Sequence, residues 1–155
     1  MEANNISPVK RKRRIMEVKN DDFNKIIQLI RAGSNLDIIT EVKKGLSRRV
    51  FDGLKDQTNL DFTRLSKIVG TTSATIHKKK TTDKFNKLIS EKIIAVAALY
   101  DFGYEVFEDK NDFDAWMGTE NTALAEKKPI ELIDTVLGLN EVRNVIGRIQ
   151  YGVYA

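Results

Sequence analysis

The stretch Asp61–Lys80 reads DFTRLSKIVGTTSATIHKKK, and it decides the fold of this chain. Asp61 can cap a helix, because an aspartate side chain accepts hydrogen bonds from the first backbone amides of a helix. Gly70 then supplies a tight turn, since glycine adopts a positive φ at little cost. A second helix is predicted to begin near Thr72, with Ile76 as its core residue. This spacing is typical of a helix-turn-helix, whose second helix enters the major groove of DNA.

The outer face of that second helix carries the candidate DNA contacts. They are Thr72, Ser73, Thr75, His77, Lys78, Lys79 and Lys80. Hydroxyls and an imidazole can hydrogen-bond to base edges, whereas lysines neutralise phosphates as point charges. The alternative interpretation is a solvated helix end, because lysines at a helix C-terminus also complement the helix dipole. We expect moderate sequence discrimination and a strong dependence of binding on salt.

Charge is distributed unevenly along the chain, although the net charge is only +4. Residues 43–92 contain thirteen basic and five acidic side chains, whereas residues 101–141 contain three basic and eleven acidic ones. The first of these segments is therefore suited to an anionic partner, and the second is not. Residues 1–19 contain six basic and two acidic side chains and are predicted to form a flexible basic arm. This arm is either a solubilising tail or a contact to DNA phosphates.

The composition argues against several classes of protein and of site. The 155 residues are enough for one mid-sized domain or two small ones. The chain has no cysteine and a single histidine, His77, which argues against disulfides and against a metal site. No phosphate-cradling glycine loop or paired-carboxylate motif is present, so we expect neither an enzyme nor a cofactor. No secretory signal or membrane-spanning run is visible, and a cytoplasmic protein is expected.

Other segments have helical periodicity, with apolar residues at every third or fourth position. A long helix is predicted from about Lys84 to Glu108, apolar on more than one face, as expected at the centre of a bundle. A last helix is predicted from about Asn140 to Tyr151, with Asn140 as its cap, and Ser47 is predicted to cap an earlier helix. No sustained alternating pattern flanked by turn residues indicates a strand. The chain is therefore predicted to be all-α.

The C-terminal part matches a known pattern. The matching segments are Asn121-x-x-Leu124, Pro129–Thr135 (PIELIDT), Gly138-x-x-x-Val142 and Ile146–Ala155 (IGRIQYGVYA). They resemble the toxin-binding domain of Xre/MbcA/ParS antitoxins and are similar to the antitoxins that pair with RES-domain toxins. The helix-turn-helix resembles the Xre type found in phage repressors. The resemblance covers about residues 29–155 and implies a cytoplasmic type II antitoxin.

Such antitoxins block the active site of a toxin that consumes NAD or transfers its ADP-ribose, and they repress their own promoter. The resemblance places the toxin contacts at Asn121, Arg148, Tyr151, Gly152 and Tyr154. It implies a RES-domain toxin and operator DNA as partners. The alanines of the long helix allow close helix approach, either within the domain or across a homodimer. The predicted domains are the arm (1–19), an Xre-like helix-turn-helix domain (20–86) and a helical toxin-binding domain (87–155), with the long helix as the connection.

Three features depart from the family pattern. Glu120 replaces a usual proline, Ala125-Glu126 replaces usual glycines, and Lys78–Lys80 stand where arginines are common. The residues expected to shape the domain rather than to contact a partner are Trp116, Pro129, Leu132, Asp134 and Thr135. The rival hypothesis is a stand-alone Xre-like transcriptional regulator whose C-terminal domain only mediates dimerisation.

Overall fold

The computed structural model describes residues 19–153, and within them the secondary structure is helical. The elements are α1 (Asp21–Arg31), α2 (Asn35–Lys44), α3 (Arg48–Thr58), α4 (Phe62–Ile68), α5 (Ser73–His77), α6 (Lys87–Phe107), α7 (Lys110–Met117), a 3₁₀ helix (Thr122–Leu124), α8 (Pro129–Leu132) and α9 (Val136–Gln150). Extended pairing in this part of the chain is limited to isolated bridges at Ser47–Lys84 and Asn121–Lys127. The all-α prediction is confirmed. Between residues 19 and 153, no helix is long and apolar enough to cross a membrane.

Two predicted helix starts were wrong. The central helix α6 begins at Lys87 rather than Lys84, because Asn86 accepts a hydrogen bond from the amide of Ile89 at 2.9 Å and caps it. The last helix α9 begins at Val136 rather than Asn140. Thr135 is its cap, with its hydroxyl 3.0 Å from the amide of Gly138.

The predicted Ser47 cap is also wrong in its chemistry. Ser47 occupies the cap position of α3, but its side chain makes no capping hydrogen bond. Its hydroxyl lies 3.4 Å from a carboxylate oxygen of Asp22 instead. The serine therefore links α3 to the start of α1.

The central helix α6 organises the core. Helices α1, α2 and α3 pack against it, and so do α7 and α9. Its residues Ile93, Val96, Ala97 and Tyr100 are almost completely buried. This confirms the prediction that a helix apolar on several faces lies at the centre of the bundle.

A buried polar cluster ties the N-terminal helices to the C-terminal ones. The Tyr104 hydroxyl of α6 lies 3.0 Å from the carbonyl oxygen of Gln57 in α3 and 2.9 Å from the Asp114 carboxylate in α7. Lys110 also donates to the Gln57 carbonyl. Burial raises the pKa of the Tyr104 hydroxyl and that of the Asp114 carboxyl. The phenol therefore keeps its proton and remains a donor at this junction.

Aromatic rings fill the core between α6 and α7. The Phe113 ring lies 5.3–5.9 Å, centroid to centroid, from four neighbouring rings: Tyr100, Tyr104, Phe107 and Trp116. Such edge-on and stacked pairs add stability beyond the area they bury. Trp116 packs against the core as expected. This cluster fixes α7, which precedes the loop that packs on α9.

Candidate functional site

The turn of the helix-turn-helix is a Schellman motif. Gly70 has a φ of +87°, its amide donates to the Lys67 carbonyl at 3.1 Å, and the Thr71 amide donates to the Ser66 carbonyl at 2.9 Å. These two bonds satisfy carbonyls at the end of α4 and reverse the chain direction. The Asp61 cap predicted for α4 is also present, at 2.8 Å from the amide of Arg64. The helix-turn-helix geometry predicted from Asp61 to Ile76 is confirmed, but α5 ends at His77, so Lys78–Lys80 follow the helix and do not lie on its outer face as predicted.

Helix α5 is short, and its first residues are held by their own hydroxyls. The Thr72 hydroxyl accepts a hydrogen bond from the amide of Thr75 at 3.2 Å and lies 2.9 Å from the Thr75 hydroxyl. Both threonines are exposed, and Ser73 is half-buried between them along the chain. Ile76 is completely buried and anchors the helix, as predicted. The two hydroxyls thus form one fixed polar edge at the start of α5.

The predicted DNA contacts at the end of α5 fall into two groups. His77 stacks on the Phe62 ring of α4, with ring centroids 4.2 Å apart and planes 13° from parallel. The Lys79 ammonium lies 5.3 Å from the centre of the Phe85 ring and donates to the Lys84 carbonyl at 3.0 Å. Lys78 and Lys80, by contrast, are exposed. Two of the predicted contacts are therefore already packed against the domain, whereas two project into solvent.

Arg48 positions this region and was missed by the sequence analysis. Its guanidinium donates to the Lys79 carbonyl at 2.7 Å and lies 5.9 Å from the centre of the Phe62 ring. It also lies 3.5 Å from the Asp52 carboxylate, whose pKa is raised because burial disfavours its charge. Its backbone amide donates to the Asp83 carbonyl at 2.8 Å. Arg48 therefore ties the start of α3 to the segment that leaves α5.

We use the term C-terminal tail for the residues from Arg148 onward. Helix α9 ends within this tail, in a second Schellman motif. Gly152 has a φ of +68°, and its amide donates to the Ile149 carbonyl at 3.1 Å. The amide of Val153 donates to the Arg148 carbonyl at 2.9 Å. Only a residue that tolerates a positive φ fits this turn without strain. Gly152, predicted as a toxin contact, therefore has a local role in ending α9 and directing the residues after it.

Arg148 and Tyr151 project outward at the end of α9. Tyr151 is 81% exposed, and Val153 is also exposed. The Arg148 side chain is exposed and makes no hydrogen bond or ion pair with another residue of the described range 19–153. On the opposite face, Leu139, Val142, Val145 and Ile146 are buried against the core. Tyr154, the remaining predicted contact in the tail, lies outside the described residues.

Asn121 closes a compact loop beside α9. Its side-chain oxygen accepts a hydrogen bond from the amide of Ala123 at 2.8 Å, and its backbone pairs with Lys127. Ala125 and Glu126, which replace glycines of the family pattern, adopt φ values of +55° and +60°. Non-glycine residues pay about 1 kcal/mol each for this conformation. The loop thus keeps a left-handed bend without glycine, and the 3₁₀ helix within it packs on α9.

Comparisons with known proteins agree with this geometry. Residues 37–98 match the antitoxin Xre-like helix-turn-helix domain. Residues 103–152 match the antitoxin Xre/MbcA/ParS C-terminal toxin-binding domain. The chain belongs to the Xre/MbcA/ParS antitoxin family.

A curated relative supports the same family. The chain is 27% identical over 120 residues to Antitoxin Xre of Yersinia enterocolitica, and the aligned part covers 76% of this chain and 81% of the relative. The two family domains meet on α6, which carries the end of one match and the start of the other. This antitoxin therefore combines a DNA-binding helix-turn-helix with a toxin-binding domain.

Proposed function

We propose that this antitoxin neutralises a RES-type toxin that consumes NAD, and that it does so by inserting its C-terminal tail into the toxin's active site. The observation that carries the proposal is the exposed end of α9. Tyr151 is a large aromatic side chain that is 81% exposed, and the buried stripe of α9 holds it in place. Exposed aromatic and arginine side chains on a rigid support are the usual anchors of protein interfaces.

The chemistry of the tail suits a nucleotide-binding pocket. Arg148 carries an unpaired guanidinium, which can form bidentate hydrogen bonds to carboxylates of the toxin pocket. Tyr151 can fill an aromatic slot while its hydroxyl forms a hydrogen bond. The Schellman turn at Gly152 directs Val153 away from the helix axis. The pair Arg148 and Tyr151 is therefore our candidate for the toxin-blocking contact, together with Tyr154 and the Asn121 loop.

The second part of the proposal is repression of the antitoxin's own operon by a homodimer. The exposed polar edge of Thr72 and Thr75 would meet base edges, with Lys78 and Lys80 at phosphates. Helix α5 is short and offers few groups that read bases. Two copies on a twofold operator would supply the affinity that one such helix lacks.

Co-expression with the toxin encoded beside this antitoxin tests the proposal. We expect the full chain to rescue growth and to prevent NAD depletion. Truncation after Ile149 should abolish rescue while α9 and its core remain folded, as judged by circular dichroism. Rescue by the truncated chain would contradict the tail-insertion mechanism. Failure of the full chain to rescue would instead favour the stand-alone regulator.

A further inference from the structure

An apolar groove lies between α2 and the first half of α6. It has a volume of about 200 Å³. Its floor is aliphatic and its rim is charged; the lining residues are Ile38, Ile39, Val42, Ile94, Lys43, Lys87 and Glu91. Open aliphatic grooves of this kind on a small protein mark sites of association.

A protruding leucine stands beside the groove. Leu36, in the first turn of α2, is 80% exposed, and Ile39 is 47% exposed. Leu36, Ile39 and Lys43 are spaced by three and four residues, so they lie along one face of α2. The same surface therefore contains both a projecting apolar side chain and an apolar recess.

The rim of the groove carries unpaired charges of both signs. The side chains of Lys43, Lys87 and Glu91 make no hydrogen bond or ion pair with other residues in the range 19–153. Elsewhere on α2, Glu41 is already paired, with Lys25 at 3.1 Å and Lys44 at 3.6 Å. A rim with both cations and an anion can pair with a copy of itself, because in a twofold interface each contact between a lysine of one copy and Glu91 of the other occurs twice.

We propose that this groove binds a second copy of the chain, with Leu36 of each copy inserted into the groove of the other and the rim lysines facing the other copy's Glu91. The inference rests on the homodimer in the proposed function and names its surface. The groove belongs to the helix-turn-helix match at residues 37–98, outside the toxin-binding match at 103–152. Its aliphatic floor does not suit DNA phosphates.

The decisive measurement is the mass of the full chain by sedimentation equilibrium over a range of concentrations. Leu36→Asp is compared with Leu137→Asp, a matched control. Both leucines are second in their helices, and they are 80% and 79% exposed. An aspartate in either first turn favours the helix dipole, so both variants should fold. We expect Leu36→Asp to raise the dimer dissociation constant at least about 100-fold and the control to leave it unchanged.

A charge exchange tests the rim independently. Glu91→Lys alone and the double variant Lys43→Glu/Lys87→Glu alone should each be monomeric, because their rims repel a copy of themselves. Mixed together, they should form a heterodimer detectable by native mass spectrometry. Dimers of either variant alone that are as tight as the wild type, or a mixture that stays monomeric, would overturn the proposal.

Other occupants give different outcomes. A wild-type chain that is monomeric at every concentration overturns the inference, and loss of toxin binding in Leu36→Asp would then identify the toxin as the occupant. A dimer that survives Leu36→Asp places the dimer interface elsewhere and also overturns it. Toxin rescue in cells is scored separately, so failure of the proposed toxin neutralisation is distinguishable from failure of this dimer surface.

Discussion

The turn at Gly70 and the turn at Gly152 have the same backbone geometry but lead to different surfaces. Each is a Schellman motif with a glycine at positive φ and the same pair of hydrogen bonds. After Gly70 the chain forms α5, which is anchored by the buried Ile76. After Gly152 the described chain continues only to Val153, which is exposed. The same type of turn is thus followed by a packed helix in one region and by an exposed residue in the other.

The side chains near the two turns differ in the same way. Around α5, Thr72, His77 and Lys79 already contact other groups of the domain. At the end of α9, Arg148 and Tyr151 have no such contact with residues 19–153. A pre-organised surface loses little entropy on binding, whereas a projecting side chain depends on its partner to bury it. We therefore expect binding energy to be concentrated in a few residues at the tail and distributed over many at α5.

The largest expected effect is at the tail. Replacing Tyr151 with alanine should weaken toxin binding by about 2–4 kcal/mol, because a central aromatic anchor contributes on this scale. The replacement removes an exposed side chain, so thermal stability should not change. The measurement is the toxin dissociation constant by calorimetry, together with rescue of growth.

Gln150→Ala is the control for this substitution. Gln150 is an exposed neighbour in the last turn of α9, so its loss should change toxin affinity by no more than a surface substitution does. Equal losses in the two variants would show that the tail binds through many weak contacts, and the contrast with α5 would disappear.

The next effect concerns how α9 is held. A Cβ at Gly138 would collide with the backbone carbonyl of Leu132, whereas a Cβ at Gly147 would meet open space. Gly138→Ala should therefore destabilise the fold by about 1–3 kcal/mol through overpacking. Gly147→Ala, in the same helix, should stabilise it by up to about 1 kcal/mol, since alanine favours helix over glycine. Urea unfolding of both variants measures the difference.

The outcome also tests whether the toxin-binding and operator-binding surfaces are independent of each other. If the corner between α8 and α9 supports the toxin-binding surface alone, Gly138→Ala should reduce toxin affinity while operator binding is retained. A parallel loss of operator affinity would mean that both surfaces depend on this corner through α6. A stability as high as that of Gly147→Ala would refute the collision.

The sequence predicted the helix-turn-helix well because its signals are local. Asp61, Gly70 and Ile76 act through neighbours a few residues away, and each was found in its predicted role. The start of α9 was misplaced because Val136 and Leu137 are exposed although apolar. The apolar residues of the first turn therefore do not continue the buried stripe of α9, and the stripe alone placed the cap at Asn140.

The arrangement of the side chains proposed to contact DNA could not be predicted, because it depends on tertiary contacts. Arg48 reaches the carbonyl of Lys79, 31 residues away, and a backbone acceptor leaves no mark in the sequence. The stacking of His77 on Phe62 likewise requires knowing how α4 meets α5. The three adjacent lysines Lys78–Lys80 are alike in the sequence but unequal in their exposure and contacts in the structure.

That inequality gives the smallest of the expected effects. Lys78 and Lys80 are exposed, whereas the Lys79 ammonium is held by the Lys84 carbonyl and the Phe85 ring. Replacing Lys78 and Lys80 with alanine should weaken operator binding about tenfold and flatten the slope of log K against log salt by about 1.8, because each phosphate contact contributes about 0.9. Lys79→Ala should leave the slope unchanged, and toxin affinity should be the same in all variants. If Lys79→Ala flattened the slope as much as either exposed lysine does, Lys79 would have to leave the Phe85 ring on binding, and the surface at α5 would be no more pre-organised than the tail.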